Sequence, residues 1–441
     1  MNELTFPLPL FRQSLRELVR NRRRPQRYPL GICQRQGHSE FLVRPRGSEG
    51  RRWLIVSAAD NWPAEEAGEG SDADVLLYLG RRRGELHGFV VQGSETKRLD
   101  RLNLVGPGMH TLNFPHEETE NRNQGGDNPT ESIPERWSRT IGALGGRDVW
   151  ERVKQLSVGI IGVGRTGSFL SEALARFGLS LRLIDPDLIE LHNLGEMALI
   201  GESEMGLPKV QAVANALVGR TPGMSPPVAI VESVTRRGAL RALQECDFLF
   251  GSVDNDAARL AVAMAATLFH KPLIDVGSGI HGASGGRQMG VDVRLVTPSG
   301  RCLLCLGGLQ TAEQARQTLA SAAAEQISTQ DRDWTQERAG SLASLNQFAS
   351  ACVLRLFEDF MAERITESTW LHAEYDPAGR LAVSYPPARR PAAICAMCRL
   401  SGAGEEALPQ LPEFLRTVVS PYSRETATGG TTPHAMPAWL L

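Results

Sequence analysis

The sequence predicts an α/β fold: a Rossmann-like, doubly wound and mainly parallel sheet with a structural four-cysteine zinc site, preceded by a smaller β-rich α+β domain. Three observations carry that expectation. A strand-length apolar run, residues 156–161, passes straight into Gly162-Val-Gly-Arg-Thr-Gly167 and then into a helix pattern. Strand and helix signals go on alternating as far as Val276, the pattern of a parallel sheet with helices on both faces. Two Cys-x-x-Cys pairs, Cys302/Cys305 and Cys395/Cys398, stand far apart in the chain.

The glycine-rich stretch organises the rest. Phe169, Leu170, Ala173, Leu174 and Phe177 recur at i, i+3, i+4 spacing, so a helix starts inside the loop, and Gly178 suits its C-cap. Residues 181–184 form a second strand that ends in Asp185-Pro-Asp187. Strand, GxGxxG, helix, strand, acid is the nucleotide-binding βαβ unit. Glycine lets the backbone approach phosphate oxygens, and the helix N-terminus offers unpaired N–H groups with a partial positive charge. An acid at the next strand end suits ribose hydroxyls. More polar residues follow in order: Asn193, then Lys209 opening a helix, then Asp254-Asn255 at a strand end with Arg259 one turn later. A dinucleotide needs neither that lysine nor that aspartate. A triphosphate with Mg2+ uses both, one as a point charge on phosphate and one as a hard oxygen ligand.

As a set, these motifs resemble the ThiF/MoeB-type adenylyltransferases, relatives of the ubiquitin-activating enzymes, over residues 134–400. The resemblance rests on Gly162/Gly164/Gly167, Asp185/Asp187, Asn193-Leu194, Lys209, Asp254-Asn255/Arg259 and the two cysteine pairs. It implies an enzyme that adenylates the C-terminal carboxylate of a ubiquitin-like or sulfur-carrier protein with ATP and Mg2+ and releases pyrophosphate. It further implies a homodimer in which an arginine ahead of the first strand, best matched by Arg139, reaches the neighbouring protomer's ATP site. Asp185 and Asp187 would then hold ribose, Lys209 phosphate and Asp254 magnesium. Gly277-Ser-Gly-Ile-His-Gly282 would line a channel for the partner's flexible tail.

Composition bounds the remainder. A chain of 441 residues with formal net charge -2 suggests two or three domains and no global pull toward nucleic acid or membrane. Seven cysteines, four of them in CxxC pairs, read as Zn2+ binding in a reducing, cytoplasmic setting and not as a disulfide scaffold. Four soft thiolates leave no open position for water, so the site is expected to be structural. Residues 1–112 read as a partner-recognition domain with one helix at 10–19 and strands at 40–43, 53–56, 75–79, 86–91 and 102–105. Polar residues 113–133 read as a linker, and 401–441 as a C-terminal tail. Arg20, Arg22, Arg23 and Arg24 mark either a solvated face or a docking patch for an acidic partner.

Two departures from the family pattern matter. Glu196 stands where a cation is expected near the triphosphate, and Arg165 inside the loop is positioned in sequence to restore it. The crossover segment, residues 311–338, contains no cysteine for a thioester; of the remaining cysteines, Cys33, Cys246 and Cys352, the last two read as packed, structural thiols. The sequence therefore points to an enzyme that stops at the acyl-adenylate. A peptide-modifying adenylyltransferase shares every ATP motif. A binding module with a degenerate ATP site accommodates Glu196. A nicotinamide-dependent oxidoreductase leaves Lys209, Asp254 and the four cysteines unexplained.

Overall fold

The computed structural model describes residues 2–20, 26–35, 38–45, 52–59, 75–80, 86–92, 95–114, 137–220, 225–281, 288–298, 300–309, 342–376, 378–388 and 395–405. The N-terminal part comprises β1 (Asn2–Pro7), α1 (Leu8–Arg20), β2 (Gln26–Arg35), β3 (His38–Val43), β4 (Arg52–Ala59), β5 (Val75–Gly80), β6 (Leu86–Gln92), β7 (Glu95–Arg98), β8 (Arg101–Val105) and β9 (His110–Asn113). These strands make one sheet in the order β7-β6-β5-β4-β2-β3-β1-β8-β9. The sequence expectation missed β1, β2, β7 and β9. Pro29 and Gly31 disguise β2, and β7 is short and exposed.

Alternation decides what each face of that sheet does. Leu4, Phe6, Phe41 and Val43 point to one face, where Phe11 and Leu18 of α1 complete a buried cluster. Glu3, Thr5, Glu40 and Leu42 point to the other face and are buried too. That second face packs on the nucleotide half: Cys33 and Leu42 join its core, and Lys271 approaches Glu40 at 3.9 Å. At the far edge Glu363 meets Arg12 at 3.3 Å and His110 at 2.9 Å, while Gly108 N–H donates to Phe360 O. The two parts, read from the sequence as separate domains, thus share a buried, partly polar contact.

The nucleotide half opens with α2 (Ser138–Leu144) and α3 (Arg147–Lys154). It continues through β10 (Ser157–Ile161), α4 (Arg165–Arg176), β11 (Ser180–Ile184), α5 (Lys209–Arg220), β12 (Val228–Ile230), α6 (Arg237–Gln244), β13 (Phe248–Gly251), α7 (Asp256–Leu268) and β14 (Leu273–His281). β15 (Gln288–Val296), α8 (Ala343–Met361), β16 (Thr369–Tyr375), β17 (Leu381–Ser384) and α9 (Ala396–Arg399) follow. The sheet runs β12-β11-β10-β13-β14-β15-β16-β17. Its first five strands are parallel and its last three are added antiparallel. The order in which strands are added reverses at β10, with β11 on one side and β13 on the other. In open α/β sheets the ligand crevice lies at such a switch point, beyond the carboxyl ends of the strands.

Gly277 to His281 extend β14, paired residue by residue with β15 from Gly277↔Asp292 to His281↔Gln288. The antiparallel partner supplies the ladder bonds that make an extended glycine run stable. Gly282, Gly285 and Gly286 lie outside the described residues, as do the crossover segment, Arg22 to Arg24 and residues 406–441.

α8 packs across the sheet with an aromatic cluster between them. Phe248 and Phe250 stack on β13 at 4.9 Å, and Phe357 meets them edge-on at 5.2 and 5.5 Å, all fully buried. Phe357→Ala should therefore cost about 3–5 kcal/mol by urea unfolding. A loss below about 1 kcal/mol would show that this cluster does not hold α8 to the sheet.

Candidate functional site

The loop after β10 is built from glycines that cannot be replaced. Gly162 has φ +84°, and a Cβ on Gly167 would lie 1.9 Å from Gly162 O. Gly164 is different: a Cβ there would meet nothing within 4 Å. Its surroundings are open, as a backbone approached by a ligand requires. α4 starts at this point with no side-chain cap, so its first N–H groups face the opening. At the other end, Gly178 with φ +78° follows the last turn, the C-terminal glycine expected from sequence.

Asp185 organises the loop from beneath. It is 6 % exposed; one carboxylate oxygen accepts from Val163 N at 2.7 Å and the other from Asp187 N at 2.9 Å. Burial pushes its carboxyl up to about 6, against the opposing pull of Lys209. With each oxygen accepting from a backbone amide, Asp185 braces the loop from beneath the opening. Asp187, two residues on, faces outward and receives Lys209 Nζ at 2.8 Å. Lys209 is itself mostly covered, held by the first turn of α5.

The remaining residues divide into exposed and bracing groups. Asp254 is exposed at the end of β13. Asn255 caps α7, its side-chain oxygen accepting from Ala258 N at 2.8 Å. Arg259 turns inward: Nε donates to Asp275 at 3.0 Å and a terminal nitrogen donates to Val253 O at 3.0 Å. The neighbouring Asp275 carboxylate holds the Arg259 guanidinium above its ordinary range. Arg259 therefore shapes the strand end that presents Asp254. Asn193 is buried as well, accepting from Glu190 N at 2.9 Å inside a single helical turn.

Glu196 does not face the opening alone. Arg165 donates to it at 3.3 Å, so the acid standing in the family's cationic position is neutralised from the glycine loop. Arg139 lies elsewhere. It is exposed on α2, next to Trp137, whose indole donates to Arg176 O at the far end of α4 from the glycine loop. A 12-residue helix is about 18 Å long, so Arg139 stands away from this chain's own loop.

Sequence reasoning missed several bracing residues. Asn346 on α8, 2 % exposed, accepts from Thr166 Oγ1 at 3.5 Å and from Ser278 Oγ at 3.2 Å, and Ser350 Oγ donates to Thr166 O at 3.1 Å. Asp275 is the partner of Arg259. Its signal was available, as the one acid in the apolar run Leu273-Ile-Asp-Val276. Asn346 gave none, because it falls on an ordinary helical stripe.

The four cysteines meet. Cys302 and Cys305 sit in the turn after β15, and Cys395 and Cys398 at the start of α9; all four sulfurs lie within 4.8 Å of one another. Closest approaches are 3.6 to 3.7 Å. A tetrahedral metal with M–S bonds of about 2.3 Å needs S···S edges of about 3.8 Å, so the donor set fits. Cys352 is half-buried on α8, and burial pushes its thiol up, away from nucleophilic use. Cys33 and Cys246 are buried; the Cys246 thiol donates to Ala242 O at 3.2 Å.

The ThiF family model matches residues 137–419. The chain belongs to the ThiF family. Among curated proteins it is similar to ubiquitin-like modifier-activating enzyme 5 of Caenorhabditis elegans, 29% identical over 151 residues that make up 32% of this chain and 36% of that one. It is also similar to adenylyltransferase and sulfurtransferase MOCS3 of Danio rerio, 31% identical over 123 residues, 28% of this chain and 27% of the relative. The chain thus spans about a third of the length of the curated relatives it matches. Among solved structures, E. coli MccB with SeMet MccA superposes with TM-score 0.46 at 21% identity, covering 60% of this chain and 74% of that one.

The raised Asp185 carboxyl has a pH consequence. A carboxyl whose folded value lies above its ordinary 3.8 contributes stability below that pH and loses it as pH rises toward about 6. Asp185→Asn removes this titration. The stability of the native chain relative to that variant should therefore fall by a few kcal/mol between pH 4 and 6, on the order given by linkage. Parallel urea midpoints across that range would contradict the brace.

Proposed function

We propose that this chain is an ATP-dependent adenylyltransferase acting on the C-terminal carboxylate of a ubiquitin-like or sulfur-carrier protein. The observation that carries the reading is a convergence at the switch point. An open Gly164 with uncapped α4 amides, the outward-facing Asp187–Lys209 pair and the exposed Asp254 all stand beyond the carboxyl ends of β10, β11 and β13. Membership of the ThiF family supports it.

In this reading the loop amides and Lys209 hold the ATP phosphates, and Asp187 takes the ribose hydroxyls while Asp185 stays beneath as the loop's brace. Asp254 would hold Mg2+, which supplies charge neutralisation on the phosphates. The partner's terminal carboxylate oxygen attacks the α-phosphorus, the bond to the bridging oxygen breaks, and pyrophosphate leaves with that electron pair. An acyl-adenylate remains. The step is positioning plus electrostatics and needs no protein nucleophile, in keeping with the covered thiol of Cys352. The Arg165–Glu196 pair gives the loop a cation without leaving an uncompensated acid beside phosphate. Arg139, standing away from its own loop, would serve the site of a second copy in a homodimer. The N-terminal sheet would recognise the partner or a downstream enzyme. The four cysteines would hold Zn2+ as a closed structural site, the state of thiols in a reducing, cytoplasmic compartment. Among the described residues no helix is long and apolar enough to cross a membrane.

Two measurements test the site. Pyrophosphate release from ATP–Mg2+ should require a partner ending in Gly-Gly and should drop by at least about 100-fold in Asp254→Ala, the scale of removing one preorganised electrostatic group. Partner-independent or Asp254-independent release would refute the assignment. Arg165→Ala should weaken ATP binding by calorimetry about tenfold, the size of one charge-assisted contact. Arg165→Ala/Glu196→Ala should recover part of that loss, because the unpaired acid goes with it. Unchanged affinity in the single variant would remove Arg165 from the phosphate site.

A further inference from the structure

Five residues beyond the second cysteine pair do something that neither a polar tail nor a structural metal site explains. Ser401, Gly402, Ala403 and Gly404 are buried, and they pass between β2 and the end of α7. On one side Gly402 N–H donates to Thr267 O and Gly404 N–H to Leu268 O, at the end of α7 in the nucleotide half. On the other side Gly404 bridges Ile32 in β2, and Glu405 accepts from Gln34 N at 3.3 Å. The same Glu405 oxygen accepts from Gln244 of α6 at 3.2 Å, so one carboxylate joins both halves.

Nothing but glycine fits where the surfaces meet. A Cβ on Gly31 would lie 2.2 Å from Gly402 O, one on Gly402 2.2 Å from the His270 ring, and one on Gly404 2.1 Å from Ile32 O. Gly402 and Gly404 also carry φ of +68° and +60°. His270 completes the seam, its Nε2 2.7 Å from Val43 O in β3 and burial driving its imidazole down to about 4, hence neutral. The segment is too short and too glycine-rich to hold this course by propensity. Its fixed end is Cys398, three residues before Ser401, and the four-sulfur cluster pins Cys398 to the turn after β15.

We propose that the four-cysteine centre acts as an interdomain clip: by fixing residues 395–398 it holds the 401–405 strap in the seam, and the strap holds β2 of the N-terminal sheet on the nucleotide half. The inference rests on the metal-binding reading of the cysteines and is independent of the adenylation chemistry. The Glu363 contacts with Arg12 and His110 lie at the other edge of the sheet, so loss of the clip frees β2 and β3 while that edge stays docked.

The test is hydrogen exchange on the full chain, with zinc content and free thiols measured on the same samples. Removing zinc with a thiol-directed mercurial and a chelator should raise exchange in Gln26–Arg35 and in Val43 at least about tenfold, a local opening. The β10–loop–α4 segment should stay protected. Gly404→Val should reproduce the β2 change with zinc still bound. Unchanged β2 exchange after zinc loss would overturn the clip, and so would uniform exchange across both halves, since that describes a general fold requirement. A chain that purifies without metal and with the four cluster thiols free refutes the metal reading. In that case Gly404→Val alone decides the strap, and unchanged β2 protection overturns it.

Discussion

A single buried carboxylate underlies the geometry of the candidate nucleotide site. Asp185 accepts a hydrogen bond from the glycine loop after β10 and another from the chain leaving β11. Two strand ends are thereby locked at one height, and everything functional is placed relative to them. Val163 N fixes the loop so that Gly164 and the first turn of α4 face the opening. Asp187 N fixes the turn that aims Asp187 outward at Lys209. The carboxyl is desolvated to do this, which raises its proton affinity, and the nearby Lys209 opposes that rise.

The other strand end uses the same device with opposite charge. Arg259, buried against Asp275 and bonded to Val253 O, holds the backbone from which Asp254 projects. Asn346 and Ser350 of α8 brace the loop from the far side through Thr166. The opening is thus ringed by groups suited to a ligand, the exposed Asp187 and Asp254 and the mostly covered Lys209. Beneath them lie buried groups whose polar atoms are spent on the backbone. Preorganisation of this kind places charge before a substrate arrives, which is where electrostatic catalysis gains most.

Glu196 shows how a local exception is absorbed. An acid beside the proposed phosphate site is unfavourable if left alone, and pairing with Arg165 cancels it at the cost of ordering one surface side chain. The pair exists because the loop residue and the turn after β11 are neighbours across the switch point.

Much was legible from residues alone. The glycine pattern, the helix stripe, the acids at strand ends and the paired CxxC motifs each depend on local rules of backbone sterics, periodicity and ligand softness, and the four sulfurs do meet. What the sequence could not say was which polar residues face a ligand and which brace the backbone. Asp185 and Asp187 are chemically identical and two residues apart, and only burial separates them. It also could not say that Gly277 to His281 pair as strand, that β1 and β2 belong to a sheet with two buried faces, or that residues 401–405 run between the halves. Strand pairing, desolvation and close backbone contact are set by residues distant in sequence, so they are decided only when the chain has folded.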